Sequence, residues 1–283
     1  MIVEVNMLNL INFTLIKNTV EKEIRNKSVI FLFVLTFVVM YLGGVLTNTL
    51  QIEIEESGFS TYLANASMTV VIWVISLSAK LVAALIAANI FKSDLESGVI
   101  SQILALPIKR SSYVLNRMLG GGILSFLYLV IILVIGMIIL SVNNLLPKGM
   151  DLPVISMIAS LIPHFIQIII IMFVSCFLSL YFNKIGTLLL TLFYVLASIG
   201  TYAYISSGNP VITGFNISSI FGSIFYGILP RIGEVSAISD MLSFGAELDG
   251  EKVKSIIFGL IHLVATLSAW GFLFNYLFRK RSF

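Results

Sequence analysis

"GVISQILALPIKRSSYVLNRM", residues 98–118, sits between two long apolar runs. It carries Lys109, Arg110 and Arg117 and is broken once, at Pro107. The flanking runs are near twenty residues long, the length an α-helix needs to cross a hydrocarbon layer of about 30 Å. A charged, proline-split segment between them has to lie outside that layer. The rest of the chain repeats the pattern. Of 283 residues, 58% are hydrophobic and 11% charged, against about 45–50% and about 25% in a soluble domain. Barrel strands would alternate every second residue, and these runs do not. The expected fold is an all-α polytopic membrane protein with spans at about 29–50, 67–91, 119–141, 154–182, 187–206 and 255–278. The single cysteine, Cys176, lies inside the fourth span and can form no internal disulfide.

Charge distribution orients the spans. With the N-terminus inside, the inner face receives Lys17, Lys22, Arg25 and Lys27 before span 1. It also receives Lys92, Lys109, Arg110 and Arg117 after span 2, Lys184 after span 4, and Arg279, Lys280 and Arg281 at the C-terminus. The outer face receives Lys148, Arg231, Lys252 and Lys254, while Lys80 lies within a span. Twelve against four is a clear positive-inside bias. The expected product is a multi-pass protein of the cell membrane with both termini cytoplasmic. Residues 1–28 carry seven charges and no compact apolar core with a cleavage site, so span 1 is expected to serve as the targeting signal and to stay in place.

Of the segments outside the spans, Asn183-Lys184-Ile185-Gly186 is expected to be a tight loop leading into span 5, and three longer ones carry patterns of their own. Residues 8–27 have helical spacing of Phe13, Ile16, Val20 and Ile24, which predicts an amphipathic elbow helix lying in the membrane surface. In residues 92–118, Ser93-Asp94-Leu95-Glu96 fits a capping box with Ser93 as N-cap. Leu95, Val99, Ile103 and Leu106 then recur at helical spacing, and the helix is expected to stop before Pro107. A new helix can start at Ser111 or Ser112. Such a stripe needs cover, either from the membrane surface or from a protein groove. Residues 207–254 are expected outside the cell, with a short re-entrant helix over Phe215–Leu229, a break at Pro230-Arg231 and a second short helix over Ile232–Phe244.

The stretch "FKSDLESGVISQILALPIKRSSYVLNRMLGG" resembles the cytoplasmic loop of ABC-2-type permeases, the membrane subunits of one class of ATP-binding-cassette transporter. That pattern runs acidic residue, Gly-Thr, apolar stretch, Pro-x-x-Arg, and a basic residue seven positions on. Asp94, Gly98, Pro107, Arg110 and Arg117 fall at matching positions, with Asp94 for the usual Glu, Val99 for Thr and Arg117 for Lys. The segment "VEKEIRNKSV" is similar to the end of the family's elbow helix. The resemblance covers essentially all of residues 1–283 as one transmembrane domain. It implies that residues 92–118 form a coupling helix docked on a P-loop ATPase subunit. Val99, Ile103 and Leu106 would enter a groove, and Lys109 and Arg110 would meet an acidic rim. Asp94, Glu96, Gly98, Pro107, Arg110 and Arg117 complete the set. It further implies export, and a second membrane subunit in a homo- or heterodimer.

The chain has no Gly-x-x-x-x-Gly-Lys-[Ser/Thr] loop, and no lysine follows a glycine. It therefore has no P-loop of its own. No cofactor is expected on this chain; ATP and magnesium belong on the partner ATPase. The chain itself is not read as an enzyme. It has no His-Glu-x-x-His and no aspartate pair within spans, and His164 and His262 without a third ligand do not make a metal site. Besides the ATPase and a second membrane subunit, the bilayer is the expected partner, and no nucleic acid is.

Lys80 is about 20 Å into span 2 by helical rise, and in span 4 His164 and Gln167 fall at about 15 and 20 Å. A lysine there costs about 2.5–3.5 kcal/mol, so it should face the bundle interior with His164 or Gln167 as partner. One reading makes Lys80, His164 and Gln167 part of a translocation path; the other makes Lys80 a structural bond to a carbonyl freed by Pro163, which is expected to kink span 4. Ala79, Ala83 and Ala87 form a small-residue row beside it. Two other functional classes fit the bare sequence. One is a non-transporting membrane scaffold or sensor; the other is an ion-coupled secondary transporter using Lys80, against which the lack of an inverted repeat counts.

Overall fold

A computed structural model of the protein describes residues 11–54, 60–98, 109–142, 158–206, 220, 222–244 and 250–280. Every regular element among them is helical. In chain order these are α1 (Phe13–Ile24), α2 (Lys27–Ile54), α3 (Ser60–Glu96), α4 (Arg110–Val142), α5 (Leu161–Ser179) and α6 (Lys184–Ser206). A π-helical segment (Ser223–Ile228), α7 (Ile232–Phe244) and α8 (Gly250–Lys280) follow. Six are long and apolar enough to cross a membrane, through Lys27–Leu46, Val70–Asp94, Arg110–Val142, Leu161–Ser179, Lys184–Ser206 and Ile256–Phe278. These are the six expected spans.

Helix α3 is the centre of the bundle and packs on α2, α4, α5 and α6. Its row of small side chains explains this position. Ala79, Ala83 and Ala87 are all buried, with Ala84 and Ala88 beside them, and small side chains let helices approach closely where lipid supplies no hydrophobic drive. Helix α8 joins by aromatic contact instead. Trp270, Phe274 and Phe278 recur every fourth residue and meet Phe91, Tyr113, Phe173 and Phe177. The outward faces of α2, α6 and α8 carry exposed Phe31, Leu42, Leu196, Phe258 and Phe272. In a chain with six apolar spans such a surface matches lipid.

Three local expectations change. Ser93-Asp94-Leu95-Glu96 is not an N-terminal capping box: α3 continues through Glu96, so these residues form its last turn. The Ser97 amide and hydroxyl both donate back to the Ser93 carbonyl, at 3.1 and 2.7 Å. Gly98 then adopts φ +66°, the left-handed cap that ends helices without a Cβ penalty. Pro163 stands in the first turn of α5, not within a continuous span. Residues 158 and 159 are helical and the ladder is interrupted at Ser160, because the proline ring excludes the carbonyl four residues back and has no N–H to offer it. Lys184, Ile185 and Gly186 form no loop; they are the first turn of α6, and Asn183 caps it by accepting from the Gly186 amide at 2.7 Å.

Helix α1 runs from Phe13 to Ile24, within the expected 8–27 segment. A soluble amphipathic helix would bury Phe13 and Ile24, yet both are exposed, and its buried residues are Thr19 and Glu23. Polar side chains lie on both sides of α1: Thr19 and Glu23 face protein, while Lys17, Asn18 and Glu21 are exposed along with Phe13 and Ile24. Of the 207–254 segment, α7 spans the expected Ile232–Phe244 and the break falls at Leu229-Pro230. The expected Phe215–Leu229 helix is described only from Ile220, without residue 221, and there as a π-helical segment. Neighbouring side chains satisfy its carbonyls. Arg231 Nε donates to Tyr226 O at 2.8 Å, and Trp270 Nε1 to Ile228 O at 3.0 Å. Gly227 O lies 2.9 Å from His262 Nε2, and the Tyr194 hydroxyl donates to Pro230 O at 2.6 Å. Irregular backbone in an apolar surrounding needs such partners.

Candidate functional site

Helix α1, the end of α3 and the start of α4 meet around one carboxylate. Asp94 is 1% exposed. Its Oδ1 accepts from Lys22 Nζ at 2.8 Å. Its Oδ2 accepts from Arg117 Nη2 and from the Tyr113 hydroxyl, both at 2.6 Å. Arg117 also donates through Nη1 to Thr19 Oγ1 at 2.9 Å, and its guanidinium lies 5.6 Å from the Tyr113 ring centroid, within cation–π range. Tyr113 is itself packed by Phe91 and Phe278. Three donors make burial of this charge tolerable; removing the carboxylate would leave Arg117 buried without compensation.

A second cluster lies on the same side of α1. Glu23, fully buried, accepts from Asn89 Nδ2 at 2.8 Å and Asn26 Nδ2 at 3.2 Å, and Lys184 Nζ donates to Asn89 Oδ1 at 3.0 Å. Asn116 Oδ1 accepts the Asn12 backbone amide at 2.7 Å and so anchors the first turn of α1. Helix α1 is thereby fixed to α3 and α4 through polar bonds, and Asn89 carries the network on to α6. At Gly120 the α1 backbone comes so close that an added Cβ would stand 2.9 Å from Ile16 O and 2.7 Å from Thr19 Cβ.

Of the residues assigned by resemblance to ATPase coupling, Asp94 and Arg117 come together as this buried pair. Glu96, Gly98 and Lys109 are exposed and Arg110 is half-buried. Val99, Ile103, Leu106 and Pro107 lie outside the described residues. Sequence reading missed Thr19, Lys22, Glu23, Asn89, Tyr113, Asn116 and Lys184.

The other candidates lie in the middle of the bundle. Lys80 is buried and lines a cavity of about 290 Å³ between α3, α6 and α7. His164 and Gln167 are also buried, and their hydrogen bonds run to α7. His164 Nε2 lies 2.9 Å from Ser239 Oγ, and Gln167 Nε2 donates to Val235 O at 3.2 Å. Lys80 is near enough to His164 to act on it electrostatically. Among the described residues no group of His, Cys, Asp and Glu could hold a metal ion.

A six-span helical bundle with a buried charge cluster joining its N-terminal helix to the ends of spans 2 and 3 has the form of a membrane permease. A family model described as ABC-2 family transporter protein matches residues 15–198. The chain belongs to this family, and it is a multi-pass membrane protein. No match was found among curated proteins.

Proposed function

We propose that this chain is the membrane-spanning subunit of an ATP-driven exporter of the cell membrane, with both termini cytoplasmic. ATP and magnesium bind a separate P-loop ATPase, and two membrane subunits, identical or different, complete the transporter. Residues 1–283 then form one transmembrane domain. It has an elbow at 1–28, a coupling segment at 92–118 and an outer re-entrant segment at 207–254. The observation that carries the reading is the Asp94–Arg117 pair. It joins the end of α3 to the first turns of α4, the helices on either side of residues 99–108, and ties both to α1 through Lys22 and Thr19. A force applied to that stretch would therefore move the ends of α3 and α4 with α1 as one body. In this reading Asp94 and Arg117 are positioning residues. Val99, Ile103 and Leu106 enter the ATPase groove, Gly98 and Pro107 delimit the docking helix, and Glu96, Lys109 and Arg110 flank it.

The double charge reversal Lys109→Glu with Arg110→Glu tests the flanking role. The ATPase that co-purifies with the tagged wild-type chain should be lost by roughly tenfold or more, equivalent to about 1.4 kcal/mol. Membrane insertion of the variant should be unchanged. Full retention of the ATPase by the variant would count against these residues as a docking rim.

A further inference from the structure

We infer that the cavity at Lys80 is the substrate site of this permease and takes an anionic amphiphile, a molecule with a phosphate or carboxylate head and an apolar tail, supplied by the bilayer. The inference rests on the permease reading above and adds a substrate class to it. Lys80 is 6% exposed. It stands ten residues from Val70 and fourteen from Asp94 in the α3 span, or roughly 15 and 21 Å along the helix. That is near the centre of a hydrocarbon layer of about 30 Å, where an ammonium is costly and is usually functional.

The cavity wall is built for an anion with a tail. Its thirteen lining residues include no carboxylate. They do include the hydroxyl-bearing Ser76, Tyr202, Ser206 and Ser236 with Lys80. Gly233 and Ser236 come from the N-terminal part of α7; the carboxylate of its first turn, Glu234, is paired with Arg231 and does not line the cavity. The rim is apolar and open to the outer surface: Trp73, Leu77 and Leu196 are 63%, 46% and 65% exposed. A volume of about 290 Å³ is at the low end of ligand pockets, about 300–1,000 Å³. It holds a head group and leaves the tail beyond the rim, in lipid.

The chain has two tryptophans, and Trp73 at the rim is a built-in reporter. In a Trp270→Phe variant Trp73 is the sole tryptophan. The full chain is reconstituted in phosphatidylcholine vesicles carrying a fixed minor share of brominated phosphatidylglycerol or, separately, brominated phosphatidylcholine, and quenching is compared. The anionic lipid should quench with a preference of roughly tenfold, the worth of one charge-assisted contact. Lys80→Met should bring the preference to about one, and Lys80→Arg should keep most of it. Should Trp270→Phe fold poorly, the comparison runs on the wild-type chain, where Trp270 adds a background common to both lipids.

Equal quenching by the two lipids, or a preference that survives Lys80→Met, would overturn the inference. Shielding of Trp73 from both lipids, with copies crosslinking through the rim, would overturn it in favour of a second chain as occupant. The measurement needs neither ATPase nor transport, so its failure leaves the permease reading standing. Loss of the ATPase partnership with the lipid preference intact would strike the substrate role and leave the permease reading as the part that failed.

Discussion

Asp94→Ala should destabilise the protein by about 3–5 kcal/mol. The variant leaves the Arg117 guanidinium, 3% exposed, without a counter-charge. It also strands the Tyr113 hydroxyl and frees Lys22 from α3. Unfolding in detergent, followed by the protection of Cys176 against a thiol reagent, reads the loss, because Cys176 is buried in α5. The distribution of effects among the partners is the sharper test. Lys22→Met should cost about 1 kcal/mol or less, since its side chain is 34% exposed and a solvated partner contributes little. Asp94→Leu combined with Arg117→Met should recover most of the stability, because an apolar pair of similar size removes both buried charges together. Equal costs for Asp94→Ala and the double variant would mean that the pair is not coupled and that α1 is held by other contacts.

Gly120→Leu is expected to be the other severe change. Its Cβ alone would meet the Ile16 carbonyl, a backbone atom that cannot rotate away, and the Thr19 side chain. The cost should reach about 3 kcal/mol, the upper range for overpacking. Helix α1 should separate from α4, so protease should cut near Arg25 in the variant and spare the wild type. Gly200→Ala is the matched control. Gly200 also lies within a helix but has nothing within 4 Å of an added Cβ, so stability should hold or rise by up to about 1 kcal/mol. Cleavage at Arg25 in neither or both proteins would contradict close packing of α1 as the cause.

Six apolar runs and the separation of the basic residues made the spans legible from the sequence. A hydrocarbon layer imposes a length and a composition on each crossing, and both are local properties. Helix ends were less legible. Ser93-Asp94-Leu95-Glu96 has the residues of a capping box, yet its backbone is the last turn of α3. A short motif contains no information on whether the helix lies before it or after it. Gly98 carried the better signal, since a glycine just past a periodic run marks a helix end. The central pair was half visible. Asp94 and Arg117 stood out by resemblance, but their meeting across 23 positions, and Lys22 across 72, follows from the packing of α1. The apolar spacing of α1 did not announce that packing, since Phe13 and Ile24 are exposed while Thr19 and Glu23 find their partners inside.

The central claim is that residues 99–108 dock on an ATPase. A photo-crosslinking residue at Ile103, introduced in the native host, tests it most directly. The account predicts an adduct with a P-loop ATPase, formed in the wild type and reduced when Asp94→Ala loosens the clamp behind the docking stretch. Adducts with lipid alone, from a correctly inserted protein, would contradict it.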